Sequence, residues 1–166
     1  FGRNLVETYR HLSERSIAES DVERVISFAE RILDEPIELI ADVEETLAYL
    51  AARHDLTLFT KGHPDEQRMK VDRSGLGSYF AHTTIVKEKD AASYRALVEE
   101  RRMEPSRTWM IGNSPKSDVN PALEAGLNAV FIPHAHTWVL EKQEIRPRAG
   151  VRLMELGSFG ELRSHF

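Results

Sequence analysis

The sequence predicts an α/β fold built on a parallel sheet, and three observations predict it. From about residue 55 onward, short apolar strands alternate with helices of 8 to 13 residues, the pattern of parallel βαβ units. Two strands run straight into polar turns, Thr60-Lys61-Gly62 and Gly112-Asn113-Ser114-Pro115-Lys116-Ser117-Asp118. Such turns place side chains and N–H groups at the carboxyl edge of a parallel sheet, where open α/β folds bind ligands. Finally, 166 residues with 41% hydrophobic and 30% charged content suit one domain, or a core with a small appendage.

The elements follow in order. Residues 3 to 13 and 21 to 34 read as helices, the second with a stripe of Val22, Val25, Ile26, Ala29, Ile32 and Leu33 at helical spacing. Ser20 with Glu23 has the spacing of a capping box, and Pro36 ends the helix. A third helix spans 42 to 53, with Val43, Leu47, Leu50 and Ala51 on one face and Asp42 with Glu45 again spaced as a box. A strand at 55 to 60 leads to a helix at 64 to 73, with Pro64 in its first turn. Gly75 and Gly77 then break the chain. A strand at 82 to 86, a helix at 91 to 102, a strand at 108 to 112 and a helix at 118 to 125 follow, with Gly126 as a C-terminal cap. Strands at 129 to 132 and 151 to 153 and a helix at 158 to 165 close the pattern. Residues 1 to 37 are all helical and stand apart from it, so the boundary falls between residues 37 and 38.

Composition excludes several classes. No apolar run approaches the ~20 residues that cross a bilayer, so no membrane partner is expected. A net charge of -5 argues against a nucleic-acid partner, which needs a basic face, though not against a small anion in a local pocket. The absence of cysteine rules out disulfides and thiolate chemistry and fits a cytoplasmic protein.

Three places carry candidate chemistry. A threonine hydroxyl and the N–H groups of a glycine-containing turn can hold phosphoryl oxygens, which makes Thr60, Lys61 and Gly62 candidates; the plainer role for Thr60 is to cap the next helix. Lys87 and Lys89 end the strand Thr83-Thr84-Ile85-Val86, where a lysine neutralises a phosphate or is simply solvated. Asp118 and Asn113 bracket one turn, and oxygen ligands of this kind suit magnesium; the plainer role for Ser117 or Asp118 is an N-cap. His134 and His136 lack a third ligand at useful spacing, and Trp138 reads as a lid over core or pocket rather than a recognition aromatic.

Taken in order, Phe59-Thr60-Lys61-Gly62, Lys89, and Gly112-Asn113-Ser114 through Asp118 resemble the second, third and fourth motifs of the haloacid dehalogenase-like hydrolase superfamily. Asn120-Pro121-Ala122-Leu123-Glu124-Ala125-Gly126 and Ile132-Pro133 support the resemblance, which covers about residues 38 to 140. It implies a three-layer, doubly wound, Rossmann-type core over residues 38 to 166, with residues 1 to 37 as part of a helical cap. It also implies Mg2+-dependent hydrolysis of a small phosphomonoester through an aspartyl-phosphate. Carried over by position, Thr60 and the N–H groups after it hold the phosphoryl oxygens. Lys89, at the spacing from Tyr94 that the family's helix expects, steadies nucleophile and phosphate. Asp118 with Asn113 holds the metal, although the family more often has aspartate where Asn113 stands.

The first motif, an apolar strand leading into Asp-x-Asp, is absent: Asp21, Asp34, Asp42, Asp55, Asp65, Asp72, Asp90 and Asp118 all fail it. In the family that strand lies mid-sheet, between the strands ending at Thr60 and Gly112. The chain opens on Phe1, which points to a longer polypeptide whose first strand precedes it; the alternative is a second chain or a rearrangement that fills the gap. Residues 1 to 166 alone are then expected to be inactive. Two other functions stay open: a 2-haloacid dehalogenase, and a non-catalytic module that senses a phosphorylated metabolite.

Overall fold

A computed structural model describes residues 2–14 and 16–166, and the chain divides into two compact units, Phe1–Glu38 and Leu39–Phe166. In the first, α1 (Gly2–Leu12) packs on α2 (Glu19–Asp34). Val6 and Ala29 are buried, whereas Ile26, expected in the apolar stripe, is exposed. The side chains of Ile32 and Leu33 lie outside the described residues. Helix α2 begins before the Ser20–Glu23 pair: Ala18 is its N-cap, and the Asp21 carboxylate accepts the Ala18 N–H at 3.3 Å.

The second unit holds the sheet, in two parts. Strand β1 (Thr57–Lys61) pairs in parallel with β2 (His82–Val86), with Thr60 opposite Ile85 and Lys61 opposite Val86. Strands β3 (Trp109–Gly112), β4 (Asn128–Phe131) and β5 (Leu153–Glu155) form a second parallel sheet in that order. Strands β1 and β3, which end at the two polar turns, share no ladder. The sheet is therefore partial, and the gap between β1 and β3 is where the family resemblance expects a further strand.

Four helices accompany the strands: α3 (Val43–Ala51), α4 (Pro64–Ser74), α5 (Ala91–Arg101) and α6 (Asn120–Glu124). Because successive strand residues face opposite ways, side chains of one strand enter different clusters. Met110 joins Phe59, Tyr94, Leu97, Ala122 and Leu127 on the α5–α6 side. Its neighbours Trp109 and Ile111 join Leu50, Val130, Leu156 and Leu162 on the α3 side. Residues 129 to 131 of β4 split the same way, with Ala129 and Phe131 against Val119 and Leu123 and Val130 against Leu50. Both faces are covered, which gives the three layers. The first of these clusters also joins the half-sheets through Phe59 of β1 and Met110 of β3, although no backbone bond does.

Three local expectations need correction. Asp42 does precede α3, but with left-handed φ of 59° and no side-chain cap bond, so the Asp42–Glu45 box does not form. Thr46 rather than Ala51 joins Val43, Leu47 and Leu50 on the buried face. The helices expected at 118 to 125 and 158 to 165 are replaced by a π turn (Pro115–Val119) running into the short α6, and by a 3-10 turn (Gly160–Ser164). In the π turn the Val119 N–H reaches the Ser114 carbonyl five residues back, at 3.0 Å. Among the described residues no helix is long and apolar enough to cross a membrane.

Candidate functional site

The turn after β3 folds back on itself. The Ser114 hydroxyl accepts the Ser117 N–H at 2.9 Å, and the Ser114 N–H donates to Asp118 Oδ2 at 2.9 Å. This presses the Asp118 side chain against Gly112. A Cβ at Gly112 would stand 2.7 Å from that of Asp118 and overlap its carboxylate, so the glycine is required by close approach. Asp118 Oδ1 forms an ion pair with Lys89 Nζ, and the two side chains are 8% and 10% exposed. Lys89 also donates to the Phe59 carbonyl at 3.3 Å. It lies one residue before Asp90, the N-cap of α5, whose carboxylate accepts the Ser93 N–H at 2.8 Å. Lys87, two residues earlier, is exposed. The buried lysine is thus the one that reaches Asp118.

The β1 turn is placed less freely than its sequence implies. Thr60 does not cap α4, whose N-cap is His63; its hydroxyl donates to Gln67 Oε1 at 2.8 Å. The Gly62 N–H, a candidate anion donor, is already committed to the Val86 carbonyl at 3.0 Å. Gly62 has φ of 138°, and a Cβ there would stand 2.8 Å from the Gln67 amide nitrogen. Lys61 reaches across the gap, donating to Ser117 Oγ at 2.8 Å and to Glu141 Oε1 at 2.9 Å, with Glu88 at 3.6 Å.

Glu141 was not legible in the sequence. It ends a 3-10 turn, Val139–Glu141, in the loop after β4. Its Oε2 accepts hydroxyls from Ser114 at 2.6 Å and Ser117 at 2.5 Å. Burial pushes its carboxyl up, but the bonds from Ser114, Ser117 and Lys61, with the lysine charge, outweigh this and hold it at about 2. It is therefore ionised at any working pH and cannot serve as a proton donor. Burial likewise pulls the Lys61 ammonium down, and the bond and charge of Glu141, with those of Glu88, more than reverse this and leave it above 10.5. Tyr94, buried under the turn, donates its hydroxyl to the Ser117 carbonyl at 3.0 Å. Its burial, and then the Asp118 charge, raise its pKa, so the phenol stays a neutral donor. Trp138, expected as a lid, is 64% exposed.

Two cations and two carboxylates thus meet where the carboxyl ends of the half-sheets approach, paired as Lys89 with Asp118 and Lys61 with Glu141. Comparison with known proteins gives the family. The model of the haloacid dehalogenase-like hydrolase family matches residues 1–132. The chain belongs to that family. A haloacid dehalogenase-like family hydrolase from Xanthomonas campestris is similar at 30% identity and TM-score 0.80, over 99% of this chain and 69% of that one. A 2-haloacid dehalogenase from Pseudomonas syringae pv. Tomato shares the fold at 20% identity and TM-score 0.64, over 98% and 68% of the two chains. A phosphoserine phosphatase from Thermus thermophilus is 32% identical over 82 residues, 46% of this chain. The chain spans about a third of that curated relative's length, 33%.

Within this family member the donors suit magnesium only in part. Asp118 is a buried carboxylate at the turn, engaged through one bond per oxygen, so lone pairs remain. Magnesium needs one or two carboxylates and keeps several waters, so Asp118 fits. Asn113 is exposed, and its amide nitrogen donates to Thr137 Oγ1 at 2.7 Å; it is engaged by Thr137 and not by Asp118. Among the described residues no cluster of three His, Cys, Asp or Glu could hold a metal.

Proposed function

We propose that this chain forms the binding side of a magnesium-dependent phosphatase for a small phosphomonoester, and that the attacking aspartate is supplied by sequence outside residues 1–166. The observation that carries this reading is the buried Lys89–Asp118 pair, tied to the end of β1 by the Lys89 bond to the Phe59 carbonyl and the Lys61 bond to Ser117. A cation and a carboxylate held together out of water serve a reaction that brings an anion and a metal to one point. The likeness to a phosphoserine phosphatase, 32% identical over 82 residues, favours phosphoryl over halide chemistry. The dehalogenase neighbour, at 20% identity, speaks for the fold alone.

In this reading Lys89 neutralises a phosphoryl oxygen and steadies the attacking carboxylate. The Thr60 hydroxyl turns from Gln67 to a second phosphoryl oxygen, and Lys61 adds charge beside it. Asp118 holds the metal, with Asn113 reaching it only once released from Thr137. Bound magnesium supplies charge neutralisation for the phosphoryl group. The aspartate attacks phosphorus as the ester P–O bond breaks, and the leaving oxygen takes a proton from the second carboxyl of the same Asp-x-Asp motif, also outside residues 1–166, giving an aspartyl-phosphate and the free alcohol. Water, giving its proton back to that second carboxylate, then takes the phosphoryl group, releasing inorganic phosphate and restoring the attacking carboxylate. Residues 1–37 belong to a helical cap, and the setting is the cytoplasm. Residues 1–166 alone lack the attacking group and are inactive.

The test is hydrolysis of p-nitrophenyl phosphate and O-phosphoserine by the full-length gene product, with magnesium or with EDTA. Activity that needs magnesium, is lost in Lys89→Ala and survives in Lys87→Ala supports the reading. Chloride release from 2-chloropropionate without metal would replace it with a dehalogenase. Thermal stabilisation by phosphoserine without turnover of either ester would replace it with a sensing module.

A further inference from the structure

We propose that Glu141 is a positioning residue of this site: its carboxylate holds the Lys61 ammonium, and the Ser114 and Ser117 hydroxyls, where a bound phosphoryl group needs them. The inference rests on the phosphatase reading and adds to it a residue from a different loop.

The first support is an inverted partition of the turn that carries it. Trp138, Val139 and Leu140 are 64%, 69% and 56% exposed, whereas the Glu141 side chain is only 14% exposed. A turn placed by ordinary burial would do the reverse, since burying a charge costs far more than burying an apolar side chain gains. This turn leaves its apolar residues in water and buries its charge, so the contacts of the carboxylate are what the position serves.

Those contacts form the second support. Both oxygens are used: Oε1 accepts from Lys61 at 2.9 Å, and Oε2 accepts the two serine hydroxyls at 2.6 and 2.5 Å. Lys61 donates a second bond to Ser117 Oγ at 2.8 Å, closing a ring of three side chains, Lys61, Ser117 and Glu141, with Ser114 attached to it. Lysine carries a long, flexible stem and three rotatable donors, and β1 by itself does nothing to fix where Nζ lies. Glu88 does little more, being 72% exposed and 3.6 Å away. The ring fixes Nζ against the β3 turn, so a lysine of one half-sheet is aimed by a loop of the other. Through the Ser114 hydroxyl, which accepts the Ser117 N–H, the same carboxylate braces the turn that presents Asp118. Held at about 2, it exchanges no proton at working pH and acts only through its partners.

The test is a double-mutant cycle on the full-length gene product with p-nitrophenyl phosphate, using Lys61→Met, Glu141→Gln and both together. If Glu141 acts through Lys61, the single variants lose similar factors of kcat/KM, on the order of 10- to 100-fold, and the double loses no more than Lys61→Met. Glu141→Asp recovers part of the loss. Independent losses that multiply in the double variant would overturn the proposal. So would a lower KM for Glu141→Gln with kcat kept, which would make the carboxylate a competitor of the substrate. An NMR readout separates this from failure of the phosphatase reading. With 15N-lysine labelling, the Lys61 ammonium gives an exchange-protected signal that Glu141→Gln abolishes, whether or not the protein hydrolyses any ester. An unchanged Lys61 signal in Glu141→Gln would sink the proposal by itself.

Discussion

Removing the charge of Lys89 while keeping its stem gives a sharp test of how the site is built. Lys89→Met retains most of the packing volume, since the methylene stem is the part that lies against apolar surface. What it removes is the partner of an Asp118 carboxylate that is 8% exposed and keeps only the Ser114 N–H at 2.9 Å. Breaking a buried pair on one side costs roughly 3–5 kcal/mol, because the remaining charge is uncompensated, whereas removing both charges is often close to neutral. The neighbouring cation does not substitute, since Lys61 is committed to Glu141 and Ser117. At about 2–4 °C per kcal/mol for a domain of this size, Lys89→Met lowers the melting temperature by about 6–20 °C. Lys89→Met with Asp118→Asn recovers most of that loss. Thermal melts followed by circular dichroism, with urea titrations for the free energies, complete the cycle. A Lys89→Met melting temperature within about 2 °C of wild type, or a double variant whose loss is the sum of the singles, would refute the buried pair as the organising contact.

Other perturbations have defined outcomes. Gly112→Ala drives a Cβ into the Asp118 side chain, and overpacking of this kind costs roughly 1–3 kcal/mol; a urea titration should find that loss, together with a fall in hydrolysis by the full-length protein. Glu141 sets a pH dependence whose sign follows from its carboxyl lying at about 2 folded against 4.5 free. Its stabilisation is fully present above about pH 4.5 and fades as pH falls toward 2, so wild type exceeds Glu141→Gln by about 1–3 kcal/mol at pH 6. The gap closes by about pH 2, and a gap that persists there contradicts the assignment. Leu123→Ala, at 1% exposure, empties core between α6 and β4 and should cost about 2–5 kcal/mol. Lys87→Ala, on the surface, should stay within about 0.5 kcal/mol of wild type in the same urea titrations.

Much of the fold was legible because its elements are bounded by strong punctuation. Strand β1 runs from an apolar stretch into Gly62, β3 stops at Gly112, and Gly126 follows α6 with positive φ, so the alternation emerges within a residue or two. The gap in the sheet was legible too, from the absence of an Asp-x-Asp strand, and β1 and β3 indeed share no ladder. Helix starts were less so. Ser20–Glu23 and Asp42–Glu45 have the spacing of caps, yet spacing does not fix the backbone angle of the capping residue, and α2 starts earlier while Asp42 turns left-handed. Within the site, Lys89 and Asp118 could be found because each lies beside its own strand end. Glu141 could not: it lies 80 residues from Lys61, in a loop with no periodicity, and only tertiary structure brings its carboxylate to the lysine. The same holds for Thr137, whose hydroxyl takes the Asn113 amide.

In the proposed phosphatase these residues bind and orient a phosphoryl group for an attacking aspartate that they do not themselves contain. The most direct measurement is mass spectrometry of the full-length gene product, acid-quenched during turnover of p-nitrophenyl phosphate with magnesium and then digested. The expected product is an aspartyl peptide heavier by about 80 Da, one phosphoryl group, mapping outside residues 1–166. A phosphoryl label on an aspartate within residues 1–166, such as Asp118, would contradict it.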